Sequence, residues 1–197
     1  MATSKGYTVM FRRKRIKKTD YKHRLKLLVS RRNRLVIRRS SKYIYLQLIK
    51  YNKKGDIVLL GASSRKLKDY GWNYKLNNLP SSYLIGLIFG LEMIKQKLND
   101  AIVDFGLNIS VYGSSLYAAL KGLADSGLNI PYDKKVIPSG ERISGKHILD
   151  YNLLLKNNPE KYKKQFSGYI KEKIDPETIV KDFEKTREKI ISTYKND

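Results

Sequence analysis

The run FRRKRIKKTDYKHRLKLLVSRRNR, Phe11 to Arg34, contains a single carboxylate, Asp20, among its cations. Such a segment repels itself and cannot form a core alone. It must either stay in water or meet a surface that supplies negative charge. The asymmetry extends to the whole chain. Residues 1–54 hold 19 Lys/Arg and one Asp, a net of +18. Residues 55–197 hold the remaining 22 basic and 17 acidic residues, a net of +5. The leader therefore implies a polyanionic partner, and the rest reads as an ordinary, mildly basic folding unit.

With 197 residues and 41% apolar content, a real hydrophobic core is available. There is no cysteine, which excludes disulfides, thiolate metal sites and thiol catalysis. The N-terminal charges are not followed by an apolar segment, so no secretory signal is expected. The longest apolar stretch, YLIGLIFGLEMI, is closed off by Lys95 and Lys97, too short for a membrane span. The sequon at Asn108-Ile109-Ser110 accordingly carries no glycosylation meaning.

Hydrophobic spacing divides the chain into elements. Residues 1–18 have no period and are expected to be extended until they bind something. Thr19-Asp20 reads as a helix start, with Tyr21, Leu25, Leu28 and Val29 as one apolar stripe docking on the body. Arg34–Arg39, Lys42–Tyr51 and Asp56–Ser63 read as three antiparallel strands, the last two joined by a turn at Asn52-Lys53-Lys54-Gly55. In the second strand Ile44, Leu46 and Leu48 fall on one face, and Tyr43, Tyr45, Gln47, Ile49 and Tyr51 on the other. Residues 64–79 read as irregular. Pro80 opens a helix with apolar residues from Leu84 to Leu98, in which Gly86 and Gly90 are expected to pack closely against a sheet. Ala101–Phe105 reads as a short buried strand. A helix capped by Ser114 or Ser115 ends at Gly127. Residues 128–146 look like loop, followed by helices over 147–155, 159–165 and from about 175 to 193.

This order gives an α/β fold: one mixed sheet with helices on both faces, three layers in all. The expected divisions are an extended basic arm over 1–18, a globular α/β domain over 19–155 and a helical C-terminal extension over 156–197.

Catalytic chemistry finds little support in these residues. GERISGKH, Gly140 to His147, fits the phosphate-cradling G-x-x-x-x-G-K up to Lys146. The position that needs a Mg²⁺-holding hydroxyl is His147, however, and no long buried strand precedes it. It reads better as a basic surface loop. His23 and His147 have no neighbouring ligand pattern, and no metal or cofactor set is read. A three-layer sheet that begins with antiparallel strands also belongs to the ribonuclease H-like class. That chemistry needs carboxylates converging on metal ions. Asp104 has no obvious partners for it and reads as a polar strand-end residue. The tyrosines Tyr43, Tyr45 and Tyr51 are candidates for base stacking or for ordinary sheet packing.

KTDYKHRLKLLVSRRNRLVIRRSSKYIYLQLI, Lys18 to Ile49, closely resembles the start of large-subunit ribosomal protein family eighteen, archaeal branch. GWNYKLNNLPSSYLIGLIFG from Gly71, AIVDFGLN from Ala101 and LYAALKGLADSGLNIPYDKKVIPSGERISGKHI from Leu116 extend the likeness in the family's order. The resemblance implies a ribonuclease H-like but non-catalytic fold on the cytoplasmic ribosome. It also implies binding of 5S rRNA and its attachment to the large rRNA in the central protuberance, beside neighbouring proteins including that of family five. Membrane and small-molecule partners are not implied. Carried onto this chain, the RNA-contacting set is Arg12, Arg13, Lys14, Arg15, Lys17, Lys18, Lys22, Arg24, Arg31 and Arg32. Arg34, Arg38 and Arg39 on the first hairpin stand second. The rival readings are an RNA-binding protein outside the ribosome and a ribonuclease H-like nuclease.

Overall fold

The fold is described from a computed structural model, for Gly6 and residues 8–195. Residues 1–5 and Tyr7 of the expected arm lie outside the described residues. Within the rest of that arm, Arg12–Arg15 forms a single helical turn, α1, where an extended chain is expected. Helix α2 spans Tyr21–Val29, and Asp20 caps it by accepting from the backbone N–H groups of Lys22 and His23. Strands β1 (Asn33–Arg39), β2 (Ile44–Lys50) and β3 (Ile57–Ser63) follow. Then come helix α3 (Leu79–Lys95), strand β4 (Ala101–Asp104) and helix α4 (Ser115–Asp125).

Among the described residues, four strands form one mixed sheet in the order β3-β2-β1-β4. β1–β2 and β2–β3 are antiparallel and β1–β4 is parallel. The parallel step follows from α3, which carries the chain back across the sheet as a crossover helix. Ile44, Leu46 and Leu48 alternate inward as the sequence predicts, each fully buried, with Leu35 and Ile37 beside them on β1. Helices α3 and α4 close this face. The opposite face is closed only over β1 and β4, where Arg34, Val36 and Asp104 are buried. Over β2 and β3 it is open, with Tyr45, Gln47 and Val58 exposed. The expected third layer is therefore partial.

Helix α3 is apolar on every side and buried along most of its length, as a helix packed between a sheet and other helices must be. Its glycines are fitted to α4, which corrects the expectation that they face the sheet. A Cβ on Gly86 would lie 2.2 Å from the carbonyl oxygen of Ala119. One on Gly122, in α4, would lie 2.1 Å from that of Tyr83. The two helices approach to backbone contact because each presents a glycine to the other.

Two segments expected to be irregular are more ordered than that. Ser64–Tyr70 is a 3₁₀ helix, and the chain beyond it alternates strictly. Trp72, Tyr74 and Leu76 are buried, and Gly71, Asn73 and Lys75 are exposed. Between residues 128 and 146, Lys134–Val136 forms a 3₁₀ turn and Gly140–Ser144 forms helix α5. Helices α6 (Lys146–Leu155), α7 (Pro159–Gln165), α8 (Ser167–Lys171) and α9 (Ile179–Lys195) complete the chain. Phe166, Tyr169, Ile179, Phe183 and Ile190 from this last segment belong to the same hydrophobic core as the sheet and α3.

Gly122→Ala is expected to lower stability by about 3 kcal/mol, because the new methyl overlaps backbone rather than a movable side chain. Urea unfolding of the variant beside the parent checks this. A loss below about 0.5 kcal/mol would mean that the helices are not in backbone contact.

Candidate nucleic-acid interface

The register between β1 and β4 sets the first feature of this surface. Val36 pairs with Asp104, so Arg34 and Arg38, two residues to either side on the same face, flank the Asp104 carboxylate. Arg34 Nη1 donates to Asp104 Oδ2 at 3.1 Å and Arg38 Nη2 to Oδ1 at 3.1 Å. The Gly106 N–H donates to Oδ1 at 2.7 Å, and Arg38 Nη1 reaches the Asp104 carbonyl at 2.6 Å. Arg34 continues the chain of charges: its Nη2 donates to Asp56 Oδ2 at 2.5 Å. Asp56 in turn accepts from Arg24 Nη2 through both oxygens, at 3.0 and 2.9 Å. Three arginines and two carboxylates thus run from α2, through Asp56 just before β3, across β1 to β4. Burial alone would raise the Asp104 carboxyl, but the Arg38 charge, the Gly106 N–H and Arg34 outweigh it and hold it below its ordinary value.

This network corrects two expectations. Arg34 is not a surface residue: it is 5% exposed, and its guanidinium is committed to Asp56 and Asp104. The stripe on α2 also differs. Leu27 is the buried residue, while Leu25 and Val29 are exposed at 64% and 73%. Leu27 and Arg24, paired with Asp56, lie on the inner side of the helix, and Leu25 and Val29 lie on the outer side. Asp104, read as a strand-end polar group, is the centre of the cluster. A carboxylate locked between two arginines is not placed for the metal chemistry of a nuclease.

The remaining cations are outside this network. Arg12, Arg13, Lys14, Arg15, Lys17, Lys18, Lys22, Arg31, Arg32 and Arg39 are exposed. Arg24 and Arg38 are half-exposed, with one edge in the network. Arg13 Nε donates to Thr19 Oγ1 at 2.8 Å, and the Phe11 and Tyr21 rings meet at 5.2 Å, which folds α1 back onto the start of α2. Arg32 reaches Asp100 at 3.4 Å. Together α1, α2 and the end of β1 line a polar cleft of about 210 Å³ that includes Lys18, His23, Arg38 and Gly106.

Lys17 and Arg31, just past the ends of α1 and α2, adopt left-handed backbone with φ of +50° and +57°. Glycine is the usual occupant of such a position. A cation there retains charge at some cost in backbone strain, partly offset by the negative end of the helix dipole. GERISGKH folds as α5, a left-handed Gly145 and the start of α6, with Lys146 paired to Glu141 at 2.8 Å. It is a helix junction, not a phosphate cradle.

Residues 5–102 match the family described as ribosomal large subunit proteins 60S L5 and 50S L18. These 98 of the 197 residues are similar to that L18-type family. By that description, the members of the matched family are proteins of the ribosomal large subunit. The L18-type segment takes in the basic leader, the first three strands and α3, together with Arg24, Arg34, Arg38 and Asp56. Asp104 lies two residues beyond it. Sequence reasoning missed Asp56, although a signal was present. Asp20 and Asp56 are the only carboxylates before Asp69, and each is used structurally, one as a helix cap and the other as a clamp.

Asp104→Asn would leave Arg34 buried without its full counter-charge and is expected to cost about 3–5 kcal/mol at neutral pH. The Asp104 carboxyl titrates below its ordinary value in the folded protein, so its contribution is complete above that ordinary value, 3.8. The contribution is lost as pH falls through the depressed one. The stability difference between parent and variant should therefore shrink on acidification below about pH 4, measured by denaturant titration across pH. A gap independent of pH would mean that the carboxylate charge is not what holds the cluster.

Proposed function

We propose that this protein binds 5S rRNA and helps attach it to the large rRNA in the central protuberance, beside the ribosomal protein of family five, as a member of the archaeal branch. The observation that carries this reading is the separation of the leader's cations into two groups. Arg24, Arg34 and Arg38 neutralise buried or half-buried carboxylates and set the direction of α2. Arg12, Arg13, Lys14, Arg15, Lys17, Lys18, Lys22, Arg31, Arg32 and Arg39 remain on the outside. Arginine forks and lysine point charges at that density match a phosphate backbone. Because the deep groove of A-form RNA is closed to side chains, recognition rests on backbone shape and on irregular regions.

Binding of 5S rRNA is expected to weaken by roughly 10³–10⁵ between 50 and 200 mM salt, given six to ten phosphate contacts. Replacing Arg12, Arg13, Lys14 and Arg15 together by alanine should flatten that salt dependence and change stability by less than about 1 kcal/mol, since all four side chains are exposed and only the surface Arg13–Thr19 hydrogen bond is lost. Filter binding across salt checks both. An affinity insensitive to salt, or equal to that for an unrelated RNA of the same length, refutes the reading.

Arg31→Gly offers a sharper separation. It removes a left-handed non-glycine residue and one exposed cation. Folding stability should stay at or above the parent value while 5S rRNA binding weakens severalfold. Thermal unfolding and filter binding on the same sample test it, and a loss of stability without loss of affinity would assign Arg31 a purely structural part.

A further inference from the structure

A second basic surface lies away from the leader. The turn between β1 and β2, the alternating chain at 73–77 and the end of α8 enclose a cleft of about 700 Å³. Lys42, Lys68, Lys75 and Lys173 line it, with Glu172 as the one carboxylate among the described residues. It shares no lining residue with the cleft beside the leader. Among the described residues, no ion pair or hydrogen bond occupies the ammonium groups of Lys42, Lys68 or Lys173. Lys173 stands just past α8 with φ of +54°, a cation held where glycine would be unstrained.

Lys75 also lines an adjoining pocket of about 350 Å³, with His147, Tyr151, Phe166 and Tyr169. The Phe166 ring lies 6.2 Å from that of Tyr151 and 5.9 Å from that of Tyr169. The Lys75 ammonium sits 5.6 Å from the centre of the Tyr169 ring. Tyr151 is 44% exposed at the pocket mouth. The fold itself builds this trough. Burial of Trp72, Tyr74 and Leu76 on one side of an extended chain turns Asn73 and Lys75 outward on the other.

We infer that this trough binds an unpaired RNA segment, with phosphates on Lys42, Lys68 and Lys173 and a base against the exposed Tyr151 ring, beneath which the buried Phe166 and Tyr169 form the pocket floor. The inference rests on the RNA-binding reading above. A cationic groove beside an aromatic platform is the arrangement that holds single strands, because every base has a π-face and every nucleotide a phosphate. A duplex, whose bases are paired and stacked, has none to place in a concave pocket. An acidic peptide would use the lysines but has no group that calls for the aromatic rings.

The test uses the full chain, a fluorescently labelled single-stranded RNA hexamer and 5S rRNA. Lys42→Ala/Lys68→Ala/Lys173→Ala should weaken hexamer binding about tenfold and reduce its log–log salt slope by about 2, at about 0.7 per phosphate on a single strand. Tyr151→Ala, a change at an exposed ring, should weaken the hexamer by about tenfold through lost stacking. Alanine at Arg12, Arg13, Lys14 and Arg15 should weaken 5S rRNA and leave the hexamer nearly unaffected. If the hexamer is insensitive to the lysine and tyrosine changes but is lost with the arginines, the trough assignment is overturned while the RNA-binding reading stands. If the parent binds neither RNA, the RNA-binding reading itself falls. An oligoglutamate of equal charge that displaces the hexamer as well as unlabelled hexamer does would identify a general anion surface and overturn the assignment.

Discussion

The Asp104 carboxylate, held between Arg34 and Arg38, is the contact on which the other features of the basic half depend. It joins β4 to β1 through side chains as well as through the parallel ladder. By neutralising Arg34 it allows a guanidinium to be buried in the closed half of the second face. Arg34 then holds Asp56, and Asp56 holds Arg24 on α2. A buried ion pair of this kind contributes little net stability compared with an apolar replacement, but it is costly to break and strongly directional. Its consequence here is geometric: it fixes where the leader departs from the body.

That geometry explains why a chain with so lopsided a charge can fold. The cations of the first 54 residues do different jobs. Arg34 and Arg38 on β1 and Arg24 on α2 are matched to Asp56 and Asp104. Those on α1, on the outer side of α2 and past the helix ends face water, where a polyanion would relieve their mutual repulsion. Lys17, Arg31, Lys97 and Lys173 are the non-glycine residues with positive φ among the described residues, and each is a cation. Charge is kept at helix ends where backbone preference alone would select glycine.

Much of the fold was legible from periodicity. The alternation in Ile44–Lys50, the turn at 52–55, the apolar helix after Pro80 and the helix start at Thr19-Asp20 are local signals with local causes, although the cap itself is Asp20 and not Thr19. The alternation of Trp72, Tyr74 and Leu76 with Asn73 and Lys75 was equally visible in the letters, but among the described residues no strand pairs with it. Without that context a period of two over six residues reads as irregular chain. The stripe on α2 failed for another reason. Spacing marks which residues are apolar, and it cannot register that the body of the fold meets Leu27 and Arg24, the latter through Asp56 far along the chain, and leaves Leu25 and Val29 in solvent.

By itself the sequence determined the charge asymmetry, the element order and the polyanionic partner class, because these depend on composition and short-range spacing. Tertiary structure alone decided which arginines are free. Arg34 and Arg38 lie on the same face of the same strand and look alike as letters, yet one is sealed between two carboxylates and the other keeps an edge open to water. The difference arises from the parallel register of β4 against β1, a contact between residues about 70 positions apart, and long-range pairing leaves no trace in local pattern.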